Sequence, residues 1–108
     1  MELELIHERL AIGRERYGHG VRPDDDTTQW GTKKNSWLEM CQEEIIDAII
    51  YVCADYIREN HIKYKEDANS LILEYIVDTD KVNKPYHQNL IISLKHTLSM
   101  LILRQKTG

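Results

Sequence analysis

Phenylalanine is absent from the 108 residues, and cysteine, proline and tryptophan occur only twice each. With no phenylalanine and with isoleucine and leucine abundant, the expected core is mainly aliphatic. The two thiols, Cys41 and Cys53, fall twelve residues apart on one predicted helix, about 18 Å at 1.5 Å per residue. A disulfide needs Cα atoms roughly 4.4–6.8 Å apart, so none is expected within the chain. Buried free thiols fit a reducing compartment, and no targeting segment is evident, so the expected localisation is cytoplasmic. No apolar run reaches membrane-spanning length, which excludes a membrane partner at this stage. Basic charge is also scarce. Lys and Arg total 14 against 18 Asp and Glu, a formal net charge of −4, and general nucleic-acid binding needs a basic footprint.

What is present is helical periodicity. Glu2 to Tyr17 reads as a first helix, with Leu3, Ile6, Leu10, Gly13 and Tyr17 at intervals of three and four and Gly18 as its stop. Gly18 to Asn35 is broken by glycine and proline, so no regular element is expected there. Structureless stretches of that length are uncommon in a compact domain unless functional or disordered. This one carries Arg16 and His19 at its entrance, then Arg22, Trp30, Lys33 and Lys34. Those are residue types that stack on a base or hold phosphate oxygens. The bland reading is a surface loop with Trp30 laid over the core, and the two are compatible.

Ser36 to Asn60 reads as the central helix. Ser36-Trp37-Leu38-Glu39 matches a capping box, in which Glu39 reaches back to the Ser36 backbone. Asp55 and Arg58, three apart, are expected to pair. His61 to Glu66 reads as a polar connection, Asp67 to Asp78 as a third helix with a stripe of Leu71, Ile72, Tyr75 and Ile76, and Thr79 to Lys84 as a loop. Pro85 suits the first position of a fourth helix running to about Gln105, in which Leu90, Ile91, Leu94, Leu98, Leu101 and Ile102 form the apolar face. His7 and His96 read as boundary histidines. Residues 1–108 therefore read as one all-α domain, a bundle of about four helices. Its size and its apolar fourth helix call for a partner chain to cover the excess.

The central helix carries the chemistry. In Glu43-Glu44-Ile45-Ile46-Asp47-Ala48-Ile49-Ile50-Tyr51-Val52, three carboxylates head an apolar run. Glu43 and Asp47 are four apart and Glu44 and Asp47 three apart, so they share one helical face with Tyr51. Like charges at those spacings cost an isolated helix roughly 0.2–0.5 kcal/mol per pair, more beside buried isoleucines. Lys or Arg partners would relieve the repulsion, and so would a divalent cation, since Mg²⁺ takes one or two carboxylates together with substrate phosphates. The alternative is a solvated acidic stripe.

Glu44-Ile45-Ile46-Asp47 within EEIIDAIIYV resembles the second metal motif, ExxD, of the MazG-like all-α NTP pyrophosphohydrolases. The likeness spans Trp37 to Arg58, and an R-Y-G followed by Trp ahead of it is similar to small phage-encoded members. The resemblance implies a helical bundle, Mg²⁺ or Mn²⁺ held between facing helices, and cleavage of an NTP or dNTP to monophosphate and pyrophosphate. It also implies a homodimer or homotetramer. The family's upstream ExxE is missing here, where Glu15 and Asp24-Asp25-Asp26 stand instead. Glu74 and Asp78, of this chain or a neighbour, are the candidates to complete a metal set with Glu43, Glu44 and Asp47. The implied substrate contacts are Arg16, His19, Arg22, Trp30, Lys33, Lys34 and Tyr51, and Trp30 or Trp37 is expected to pack on the base. The competing expectation is a non-catalytic helical interaction or regulatory protein that has lost half of such a site.

Overall fold

The computed structural model describes residues 1–107, and among them it contains α-helices, two short 3-10 turns and no strand. In order these are α1 (Glu2–Tyr17), a 3-10 turn (Thr27–Trp30), α2 (Trp37–Glu59), α3 (Asn69–Val77), a 3-10 turn (Thr79–Lys81) and α4 (Pro85–Thr107). The expected all-α arrangement of four helices holds. So do the stop of α1 at Gly18, which takes the left-handed conformation at φ 79°, and the start of α4 at Pro85. α3 begins at Asn69 rather than Asp67 because the Asp67 carboxylate accepts from the Asn69 amide at 3.0 Å and so sits outside the helix.

α2 and α4, each 23 residues and about 34 Å long, pack side by side and make the body of the fold. Ile49, Cys53, Tyr56 and Ile57 of α2 meet Tyr75 of α3, Val82 and Ile91 of α4 in the buried core. Tyrosine therefore does part of the work expected of aliphatic residues. Tyr56 meets Tyr75 edge-on with ring centroids 5.3 Å apart, while its hydroxyl donates to Asn83 Oδ1 at 3.0 Å and accepts from the Asn83 amide at 3.2 Å. That pair of bonds satisfies a buried phenol. Burial raises the Tyr75 phenol and the Cys53 thiol above their ordinary pKa values. Of the two free cysteines only Cys53 is buried, whereas Cys41 is exposed. Lys95 Nζ donates to the Ile76 carbonyl at 2.6 Å and ties α4 to the end of α3.

α2 ends with His61 in the left-handed region at φ 53°. The His61 amide donates to Arg58 O and the Ile62 amide to Ile57 O, at 3.2 and 3.1 Å, which is the Schellman closure where a loose connection was expected. α1 stands apart from this body. None of its residues is buried, and Leu3, Ile6 and Leu10 are 66%, 55% and 51% exposed. No helix among the described residues is long and apolar enough to cross a membrane.

Three further expectations are corrected. The Gly18–Asn35 segment is ordered around its 3-10 turn. Asp55 does not pair with Arg58, because its Oδ2 lies 2.7 Å from Nε2 of His87, a residue on α4 that is 32 positions away. Glu39 does not reach back to Ser36. Its carboxylate accepts from the Lys33 and Lys34 amides at 2.9 and 3.0 Å, and only the other half of the box, Ser36 Oγ accepting from the Glu39 amide at 3.1 Å, is present.

Candidate functional site

The ordered segment before α2 is built on one buried threonine. Thr27 is fully buried, and its hydroxyl oxygen accepts from the Ser36 amide at 2.7 Å and lies 2.8 Å from Thr32 Oγ1. Thr32 Oγ1 donates to the Lys34 carbonyl at 2.6 Å. Each hydroxyl has a single proton; Thr32 places its own on Lys34 O, and Thr27 has Thr32 Oγ1 and, at 3.2 Å, the same Lys34 carbonyl as acceptors. Asp26 caps the 3-10 turn, accepting from Thr28 N at 2.9 Å and Thr28 Oγ1 at 2.7 Å, and those bonds hold its carboxyl below the ordinary carboxylate pKa. The amides of Lys33 and Lys34 do the same for Glu39. Ahead of this network Arg22 to Asp25 forms a turn, closed by Asp25 N donating to Arg22 O at 3.0 Å with Pro23 at its second position.

The network places both tryptophans together. Trp37 Nε1 donates to the Pro23 carbonyl at 2.8 Å, and the Trp30 ring sits 5.8 Å away, tilted by 32°. They wall a cavity of about 220 Å³ between the end of α1 and the start of α2. Tyr17, Arg14, His19, Arg22, Asp25 and Met40 are among the other lining residues. Arg22 Nε donates to Asp25 Oδ2 at 3.1 Å, and His19 Nδ1 lies 2.6 Å from the Gly20 carbonyl.

From this cavity a stripe runs along α2. Trp37, Met40, Glu44, Asp47 and Tyr51 follow at intervals of three and four, so they share a face, on the far side of the helix from Cys53 and Tyr56. Glu43, Glu44 and Asp47 are all exposed. None of the three makes a side-chain hydrogen bond or ion pair among the described residues. Lysine and arginine therefore do not relieve their repulsion; Ile46 and Ile50 beside them are exposed as well, so the burial expected to sharpen it is absent and water solvates the stripe. Nor does one chain gather three or more His, Cys, Asp or Glu side chains able to hold a metal among those residues.

The remaining site candidates divide. His19, Arg22 and Trp30 come together at the cavity, while Arg16, Lys33, Lys34 and Tyr51 do not line it. Glu74 and Asp78 do not join the trio within one chain. Glu74 Oε1 lies 3.9 Å from Lys81 Nζ, and Asp78 Oδ1 caps the following turn by accepting from Asp80 N at 3.1 Å. Arg14, Tyr17, Asp25 and Met40 were not singled out from sequence. The interval of three and four that links Leu10, Gly13 and Tyr17 was visible as an apolar stripe, and it is the end of that stripe that lines the cavity. The Asp55–His87 pair was also missed, since nothing local joins residues on different helices. His87 is buried, with no partner for Nδ1.

Compared with protein-family models, with curated proteins and with solved structures, the chain matches none.

Proposed function

We propose that the chain is a Mg²⁺- or Mn²⁺-dependent nucleoside triphosphate pyrophosphohydrolase, MazG-like, working as a homo-oligomer in nucleotide-pool housekeeping. The observation that carries this reading is the stripe on α2, which joins an aromatic, arginine-bearing cavity to carboxylates without a cationic partner. Glu44 and Asp47 present hard oxygen donors on one face, and two carboxylates with substrate phosphate oxygens are a fitting set for Mg²⁺. When bound, the cation supplies charge neutralisation along the phosphate chain and a more acidic water. Glu43, slightly round the helix, would orient such a water and accept its proton. Tyr51, one turn beyond Asp47 and exposed, makes no bond to that carboxylate in the free chain and has its hydroxyl available to donate to substrate. Arg14 offsets negative charge at the cavity end, where Arg22 is already paired with Asp25.

Surface area supports the oligomer. The chain exposes 8820 Å², whereas a folded monomer of 12.7 kDa exposes about 6,200 Å². The excess of about 2,600 Å² is close to one partner's share at the upper end of obligate interfaces, which bury roughly 2,000–5,000 Å² in total. Large apolar side chains are among the exposed ones, including Leu3, Ile6 and Leu10 of α1, and Ile46, Ile50 and Leu73 around the groove between α2, α3 and α4. A second copy also brings carboxylates that can complete the trio.

The test is thermal melting with Mg²⁺ and a non-hydrolysable nucleotide. A ligand at a hundredfold excess over Kd stabilises the folded state by about 2.7 kcal/mol, and the part of the gain that Mg²⁺ adds should vanish in Asp47→Asn. One observation favours a second reading, a non-catalytic helical interaction protein: a single chain assembles no three-ligand cluster among the described residues. Melting that ignores Mg²⁺ in the native chain and in Asp47→Asn alike selects this second reading.

A further inference from the structure

We propose that the cavity walled by Trp30, Trp37 and Asp25 is a base subsite selective for guanine, an assignment that rests on the nucleotide reading above. The two indoles are in contact at 5.8 Å, which leaves no room for a ring between them, so a base stacks on their open side. Trp37 is a fixed platform because Pro23 holds its Nε1 at 2.8 Å, and a platform ordered beforehand costs less to bind against. Stacking accepts any base. Selection needs an edge reader, and Asp25 is the acidic side chain lining the cavity. It is half-buried, with Oδ2 fixed by Arg22 Nε at 3.1 Å.

An ionised carboxylate only accepts hydrogen bonds. Guanine alone among the common bases sets two donors side by side, N1–H and the 2-amino group, so it meets Asp25 with two charge-assisted bonds. Adenine and cytosine offer one amino group beside an acceptor nitrogen, and uracil offers one N–H between two carbonyls. The stripe gives the rest of the nucleotide its direction. Glu44 lies seven residues beyond Trp37, about 10 Å along the axis, a span that a ribose and triphosphate chain cross.

Both tryptophans of the chain line this cavity, so intrinsic fluorescence reports its occupancy. The experiment titrates guanosine, adenosine, cytidine, uridine and xanthosine monophosphates into the full chain in EDTA, which removes any metal contribution. Guanosine monophosphate should quench with a Kd at least about tenfold below the other common nucleotides. Asp25→Asn should lose that preference and bind xanthosine monophosphate more tightly than the native chain does, because the xanthine N1–H donates to the amide oxygen while its 2-oxo group, repelled by the native carboxylate, accepts from the amide nitrogen. A merely structural Asp25 cannot produce that exchange. Asp25→Ser, which should lose the guanine preference without gaining xanthine, keeps the test informative if the asparagine variant misfolds. Equal affinity for all bases, or a guanine preference untouched by both substitutions, overturns the assignment. Absence of quenching by every nucleotide overturns it too, and pyrophosphate release by the same sample would then leave the enzymatic reading standing. Guanine-selective quenching without any hydrolysis keeps the subsite and removes the enzyme.

Discussion

Replacing Thr27 by valine tests how the segment before α2 is held. The two side chains are nearly isosteric, so the substitution removes one hydroxyl and leaves the packing of a fully buried position in place. Without that oxygen the Ser36 amide loses the acceptor it has at 2.7 Å, while Thr32 keeps its bond to Lys34 O. An unsatisfied part-buried donor costs about 1–3 kcal/mol. At 4–8 °C per kcal/mol for a domain near this size, the melting of the segment should fall by about 4–24 °C. Tryptophan emission reads it locally through Trp30 and Trp37, and far-UV circular dichroism reads the helices. The emission transition should drop by at least as much as the helical one, since a segment can open before the body does. Thr27→Ser keeps the hydroxyl and gives up one methyl, worth about 0.8 kcal/mol, so it should be the milder change. If Thr27→Val melts like the native chain, or Thr27→Ser proves worse than Thr27→Val, the hydrogen-bond account of this segment is wrong.

Other outcomes follow from the same geometry. Ile91→Ala, at a fully buried α4 position, should cost about 2–5 kcal/mol by denaturant unfolding at unchanged m-value. His61→Gly should stabilise the fold by about 1 kcal/mol, since a left-handed side chain carries that strain and the Schellman bonds are backbone ones; a loss of stability would contradict the geometry at φ 53°. The Asp26 and Glu39 carboxyls are held below their ordinary values of 3.8 and 4.5. The stabilisation they give is therefore complete above those values and is lost as pH falls below them. Tryptophan emission followed from pH 6 downward should show the segment loosening in that range, and Glu39→Gln should show a smaller acid-induced change.

Much of the architecture could be read locally, because its determinants are local. Gly18, Ser36 and Pro85 mark helix ends through their own backbone preferences, and the stripe of Leu71, Ile72, Tyr75 and Ile76 predicts which side of α3 faces the core. What escaped was set by groups that meet only after folding. Asp55 had a plausible partner three residues away, yet a buried histidine on α4 takes it. Glu39 had a capping role available, but two consecutive amides of the preceding turn offer a carboxylate more than one Ser36 amide does, and Thr27 had already claimed that amide. The Asp26–Thr28 cap was readable as an Asx-type turn and would have put order into the segment. At the site, the acids and Trp30 could be chosen by residue type. Arg14, Tyr17 and Asp25 could not, because their value comes from the way the segment folds back against the end of α1.

The account depends most on the acidic face of α2 being a place where a cation meets a triphosphate. Pyrophosphate release should be measured across the common ribo- and deoxynucleoside triphosphates, with Mg²⁺ or Mn²⁺ and then with EDTA, in the native chain and in Asp47→Asn. The expected result is one pyrophosphate per monophosphate from at least one nucleotide, abolished by EDTA and reduced about 100-fold or more in the variant, since metal-ion stabilisation is worth several kcal/mol. A folded, oligomeric native chain that releases no pyrophosphate from any of them, or an Asp47→Asn chain as active as the native one, would contradict it.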